Sequence, residues 1–439
     1  MQAVTRTHPL ITLSMTAFHL FKKYSTHRET RAVALYTVSN FFNKGISFLL
    51  LFYFTRVLSE ADFGMLSLFS NGMLFLIPFL SLGILQSAST DYFRLNEREF
   101  RQFFTSSFVL PALMALLAFV VLALFYPYLT AQFHVPSSFV WMLPLLTWMQ
   151  FVSELLSVML RNREEPLRYL KVNAGRLLIE LGTAVVLISI WKWGWMARVE
   201  GMLLAYLLLT VYALQYFRKA GFFSGPIQAV VWRAELIYSI PVIGFQLAVF
   251  FLAASSVYFL QAFSGNLAEV GVYSIAVTFA SLINVFCVAL LQYVQPKLFG
   301  LLSAAQPDYR AIRRQLLLYT GAVVAFTLLA CLLVPLVYRY FMKESYQAGL
   351  PWFFKLALGQ LFWAIAYGCC MFLFYNKQKK KLLLFAVFAA AGSFICNAFM
   401  IGTGGASGAA SASLLGYSIA LVLSFLFVRK QILPILHVR

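Results

Sequence analysis

The chain has 439 residues, of which 62% are hydrophobic and 11% charged, and a formal net charge of +19. A charged share less than half of the ~25% typical of soluble domains excludes a water-soluble globule and indicates a polytopic membrane protein. The basic residues are scattered through short loops between apolar runs, which excludes a nucleic-acid-binding module and reads instead as the charge bias of membrane topology.

Residues 1–31 form a tail whose apolar patch, Pro9 to Phe21, is too short to cross a ~30 Å hydrocarbon layer and lacks a small-residue cleavage site. It is read as an interfacial helix or a loose cytoplasmic segment. Twelve apolar runs follow, at 32–55, 63–86, 103–129, 137–160, 172–190, 199–217, 235–259, 270–294, 315–338, 351–375, 382–401 and 406–428. An even count puts both termini on one side. Of the Lys and Arg residues, Lys44, Arg176 and Lys355 fall within runs, and Arg56, Lys192, Arg198, Arg339 and Lys343 fall in loops opposite the termini; all the others lie on the side of the termini. That asymmetry predicts cytoplasmic termini.

The first run and its turn, Tyr36 to Gly64, return in altered form. Arg31, Ala32, Leu35 and Tyr36 recur as Arg233, Ala234, Ile237 and Tyr238, and the segment Leu58 to Leu68 matches Leu267 to Ile275 with two residues deleted. Gly64 pairs with Gly271 and Gly201 with Gly408. Because an even number of runs separates the copies, they share orientation. The expected fold is therefore all-α and integral to the membrane, with twelve helices in two pseudo-symmetric six-helix bundles. Its parts are the tail 1–31, a lobe at 32–217, a cytoplasmic linker at 218–234, a lobe at 235–428 and a cytoplasmic tail at 429–439.

Several charges lie at membrane depth, where they are costly and become functional candidates. Lys44, in the middle of the first run, suits attraction of an anion in a cavity of low dielectric; its counterpart in the second half is Gln246. Arg176 and Glu180 are spaced to pair along one helix face, and Glu154 reaches a similar depth. These three are read as a structural cluster, or alternatively as an anion ligand with acids serving proton or sodium coupling. Lys355 is expected to snorkel. Gly404 and Gly408 are read as a close helix contact, Pro241 as a kink, and Trp191, Trp193 and Trp195 as an interfacial belt. The five cysteines and five histidines show no metal-ligand spacing, so no metal or catalytic site is expected.

Asn43-Lys44-Gly45-Ile46, Thr55-Arg56-Val57-Leu58-Ser59, Phe63-Gly64 and Gly83 to Phe93 lie in the first half; Ala268 to Ser274, Gln295-Pro296, Asn376 to Lys381, Asn397 and Gly405 to Ala410 lie in the second. In this order they resemble the multidrug/oligosaccharidyl-lipid/polysaccharide (MOP) flippase superfamily, which includes the MATE transporters, and within it the Wzx-like O-antigen and exopolysaccharide flippases. Ser256-Val257 stands where many relatives carry an Asp-Arg pair, and Asp91-Tyr92 lies close to a usual Arg. The resemblance implies alternating access, with an undecaprenyl-diphosphate-linked oligosaccharide moved from the cytoplasmic to the periplasmic leaflet of the inner membrane. Lys44, Arg176, Gln246 and Arg56 are then the substrate-cavity candidates, and Glu180 and Glu154 the coupling candidates. Membrane lipids and other polysaccharide assembly proteins are the expected partners, and no cofactor is expected beyond a coupling ion. The alternative is a cation-coupled multidrug exporter; the absence of a carboxylate in the first run favours the anionic substrate.

Overall fold

The computed structural model describes residues 45, 46, 48, 50–303, 308–376 and 378–436. The first run enters as a helix whose described end is α1 (50–57). There follow α2 (Glu60–Ser81), a short helix α3 (Ile84–Arg94), α4 (Glu97–Phe133), α5 (Ser138–Asn162), α6 (Pro166–Trp191) and α7 (Met196–Lys219). The second half comprises α8 (Ala229–Ala253), α9 (Ser256–Ser264), α10 (Leu267–Leu302), α11 (Tyr309–Phe341), a 3-10 turn (Glu344–Gly349), α12 (Leu350–Tyr375) and α13 (Lys379–Leu436).

Among the described residues nine helices are long and apolar enough to cross a membrane, or ten if α8, bent by 44° between Ile237 and Val242 around the expected kink at Pro241, is one span. A straight α13 of 58 residues would be about 87 Å long. It is instead a hairpin: Gly405 takes φ 52°, ψ −138°, and beyond it Gly408 lies against Met400, Gly416 against Ser393 and Gly392 against Ile419. Its two arms are the eleventh and twelfth spans, and with α1 the described chain follows the twelve-run pattern. Gly408 makes the expected close approach, but onto its own hairpin, while Gly404 has open space around it.

Repeat mates meet where α2 crosses α10. A Cβ on Gly64 would run into the carbonyl oxygen of Leu267, and one on Gly271 into that of Glu60. Only glycine permits this approach of two backbones. One turn further, the hydroxyl of Ser274 donates to Ser67, 207 positions away, at 2.7 Å. Residues that touch their own copies lie on the axis relating the halves.

The same step joins Ser59 and Asn266, the N-caps of α2 and α10, and Asp62 and Glu269. Asp62 Oδ1 accepts from the Trp195 N–H (2.9 Å) at the turn between α6 and α7; Glu269 Oε1 accepts from the Ala406 N–H (2.6 Å) at the turn of α13. The two-residue deletion inferred from sequence is therefore unnecessary, since the acids that do the same work are Asp62 and Glu269. The gripped turns are 211 positions apart, so pairing Gly201 with Gly408 is off by four residues, about one helical turn.

The segment between α7 and α8 is short and pinned. Phe222 packs among Phe100, Phe104 and Phe217, Thr105 donates to the Phe222 carbonyl, and the Gln228 N–H donates to Ser106. Helix α13 runs to Leu436, beyond the expected end of the last run at 428.

Candidate functional site

The pseudo-symmetric crossing sets the site. The membrane face carrying the 163–165 and 220–228 connections is here termed the basic side, and the face carrying the starts of α2 and α10 the far side. On the far side the lobes are closed by the glycine crossing, by the Lys343–Glu60 ion pair (3.4 Å) with Ser345 also donating to Glu60, and by Phe63 edge-on to Tyr346 at 5.8 Å. Inward of this closure α2 and α10 diverge and leave a cleft of about 330 Å³.

Its polar lining is a pair of stripes. Helix α2 contributes Ser67, Ser70 and Asn71; α10 contributes Ser274, Thr278 and Ser281. Spacings of three and four residues put each set on one helix face. Leu51 of α1 and the interruption between α8 and α9, Ala253, Ala254 and Ser256, complete the wall. The hydroxyls of Thr278 and Ser281 donate to carbonyls of their own helix, at 2.8 and 2.7 Å, and the Asn71 amide donates to the Ser67 carbonyl at 2.9 Å. Their oxygens remain as acceptors toward the cleft. Among the described lining residues none is charged. Such a surface is suited to hydroxyl-rich neutral groups and offers no counter-ion to a cationic drug.

The break in the seventh span is held by polar side chains. Asn397 donates to Ser255 (3.0 Å), Ser256 and Ser413 share a hydrogen bond at 3.2 Å, and Tyr273 reaches the same Ser413 hydroxyl at 3.2 Å. Ser256 thus works as a hydroxyl bridge between α9 and the twelfth span.

Lys44 lies outside the described residues. Arg56 is exposed at the end of α1 and Gln246 is half-buried on α8; neither lines the cleft. Arg176 does not line it either, because it belongs to a separate charge cluster between α6 and α7. There its guanidinium holds Glu180 at 2.8 Å, and Arg198 of α7 reaches the other oxygen of the same carboxylate at 3.1 Å. Tyr206 stands beside Arg176, with ring face and hydroxyl both in contact. Arg198 is therefore an interior residue, contrary to its assignment to a far-side loop. Glu154 accepts from Gln150 of its own helix at 2.8 Å and faces Arg176 without forming an ion pair with it, so the expected cluster of Glu154, Arg176 and Glu180 is joined by Arg198, whose ion pair the sequence did not suggest. Lys355 is half-exposed near the start of α12, and its ammonium donates to Ser407 (3.0 Å) and Ser411 (2.9 Å) on the twelfth span. Trp191 and Trp193 are exposed as a belt requires, whereas Trp195 packs against Phe69 and Phe139.

The hydroxyl stripes were missed by reading charges alone. Their signal is the placing of Ser67, Ser70 and Asn71, and of Ser274, Thr278 and Ser281, on single faces of otherwise apolar runs.

Residues 30–301 match the family model described as polysaccharide biosynthesis protein. Curated sequences give no match. Among solved structures the chain is similar to a lipid II flippase MurJ in an inward closed conformation, at 14% identity and TM-score 0.69, covering 92% of this chain and 90% of that one. It is also similar to an inward-facing MATE family multidrug resistance transporter of the MOP superfamily, at 13% identity and TM-score 0.68, covering 92% and 98%. An outward-facing MATE transporter superposes less well, with TM-score 0.52 at 14% identity and coverage of 93% and 97%, which accords with the far-side closure.

Proposed function

Because the chain belongs to the polysaccharide biosynthesis protein family, a multi-pass membrane family of transporter fold, we propose that it flips a lipid-diphosphate-linked oligosaccharide, an O-antigen or exopolysaccharide repeat unit, by alternating access. The observation that carries this reading is the cleft lined by uncharged hydroxyl and amide groups between the lobes. Sugar hydroxyls can exchange their water for Ser67, Ser70, Asn71, Ser274, Thr278 and Ser281, groups of matching polarity, without a charge having to be neutralised. The basic side is then the cytoplasmic face of the inner membrane, with both termini on it, and the closed far side is periplasmic. The substrate enters from the cytoplasmic leaflet. The lobes rock about the α2–α10 crossing, and the cleft opens on the other face. Lys44 supplies the cation for the diphosphate, an undecaprenyl chain stays in the bilayer, and other assembly proteins take over the delivered unit.

The test is surface polysaccharide in cells whose own copy of the gene has been replaced. Removing a buried cation from an anion costs about 2 to 5 kcal/mol of binding, so Lys44→Ala should abolish export at equal protein abundance, and Lys44→Arg should keep part of it. Asn71→Leu, which removes an amide from the cleft wall, should reduce export as well. Parental export from both Lys44→Ala and Asn71→Leu would refute the reading. Loss of drug resistance in place of loss of polysaccharide would favour the multidrug exporter.

A further inference from the structure

Glu235 lies in the second turn of α8 and is buried, with 7% of its surface exposed. The hydroxyl of Ser87, on α3, donates to its Oε2 at 3.1 Å. None of the ion pairs among the described residues includes it. Among the described residues the charged group that faces it is another acid, Asp91, one turn along α3 from Ser87. On its own helix Arg233 is solvent-exposed, as are Lys380 and Lys381 at the start of α13. From α4 the neighbouring contacts are uncharged: the Trp232 indole N–H donates to the Ser106 carbonyl at 2.8 Å. A carboxylate enclosed by one hydroxyl and a second acid is poorly compensated when ionised, whereas a neutral carboxyl fits the same place with little penalty.

The position gives this chemistry a lever. Residues 229–237 are fastened to the first lobe through Ser87 and Ser106. Past the 44° bend the helix belongs to the second lobe: Ala248 is buried with Ala386 and Ala390, and Ser393 donates to the Phe251 carbonyl at 3.2 Å. Glu235 is thus the buried ionisable side chain on the described segment that crosses between lobes, just ahead of its hinge.

We propose that Glu235 is a proton-binding site that works the bend of α8. Protonated, it keeps residues 229–237 docked on α3; on losing its proton to solvent it leaves Ser87 and Asp91 and the segment swings away. One proton is taken up on docking and one released on undocking, which links lobe movement to a proton gradient. That coupling rests on the transport reading above, but the docking equilibrium does not.

The experiment is hydrogen–deuterium exchange of residues 229–237 in the full chain in lipid nanodiscs, corrected for the intrinsic pH dependence of exchange. From mildly acidic to alkaline buffer, wild-type protection should fall at least tenfold. Glu235→Gln, permanently neutral, should stay protected throughout. Asp91→Asn removes the neighbouring negative charge that makes ionised Glu235 costly in the docked state, so its undocking should move to higher pH or be less complete. Exchange that is independent of pH in the wild type, or equally dependent on pH in Glu235→Gln, would overturn the proposal. If Glu235→Gln does not fold, the wild-type profile and the direction of the Asp91→Asn shift still decide it. No substrate enters the assay, so failure of the transport reading leaves its outcome unchanged.

Discussion

The α6–α7 hairpin and the α13 hairpin occupy corresponding places in the two lobes, and each turn is gripped by an acid from the start of a repeat-mate helix. Their interiors differ. The first holds Glu180 between Arg176 and Arg198, while the second is joined to its surroundings by hydroxyls and an amide: Ser407 and Ser411 to Lys355, Asn397 to Ser255, Ser413 to Ser256. Buried charges are stable only in one mutual arrangement; hydroxyls rotate and exchange partners at low cost. The first hairpin is built as a fixed support, and the second, which borders the broken seventh span, is built to adjust.

The sharpest way to break this contrast is Glu180→Ala. It strands two guanidiniums, with side-chain exposures of 20% and 14%, without their shared anion. Loss of one member of such a buried set costs about 3 to 5 kcal/mol. Thermal unfolding in lipid nanodiscs should register most of it, and export should fall with folded protein. Replacing Arg176, Glu180 and Arg198 together with leucine should restore stability, because no uncompensated charge then remains. An unchanged melting temperature for Glu180→Ala would remove the rigid-support reading.

The turns themselves give the next effect. Gly405 sits at φ 52°, ψ −138°, a region essentially reserved for glycine, where a side chain costs on the order of 1 to 3 kcal/mol. Gly194 has φ 60°, in the left-handed region, where a side chain costs roughly 1 to 2 kcal/mol. At both, a Cβ would also stand 2.6 Å from the capping carboxylate, Glu269 at one and Asp62 at the other. Both alanine variants should therefore be destabilised, Gly405→Ala more than Gly194→Ala. Equal melting temperatures would mean that displacement of the acid, common to both, outweighs backbone strain.

Much of this architecture was legible because membrane burial enforces long apolar runs and because repeat mates carry the same small residues. Gly64 and Gly271 could be paired by eye, and their structural meaning is that two backbones cross there. The acids were harder. Glu60 and Glu269 are both glutamate and invite alignment, yet the residue that reaches the neighbouring turn is Asp62, a fact set by helix phase. Arg198 was read as a loop residue since it lies two positions into α7, but its long guanidinium reaches inward across the hairpin to Glu180 of α6. The cleft was least visible. Its polar residues are uncharged and scattered among leucines and phenylalanines, so only their common helix face marks them. Glu235 looked like the edge of a span, and its burial arises from α3, most of which the sequence placed in the loop after the second run.

The smallest effect belongs to Lys355, and it tests the adjustable hairpin directly. Its ammonium is half-exposed and bonded to two hydroxyls. Ser411 already donates to the Ser407 carbonyl at 3.0 Å, so removing the lysine leaves that hydroxyl with a partner and strands no charge. Lys355→Met keeps the apolar stem that packs along the twelfth span. The expected loss is about 1 kcal/mol or less, since a net hydrogen bond to neutral groups near solvent contributes no more than this. Melting temperature should hardly move, and export should stay close to parental. A destabilisation matching that of Glu180→Ala would show that Lys355 is as indispensable to its lobe as the arginine pair is to the other, and the contrast between a charged support and a hydroxyl-bonded partner would fail.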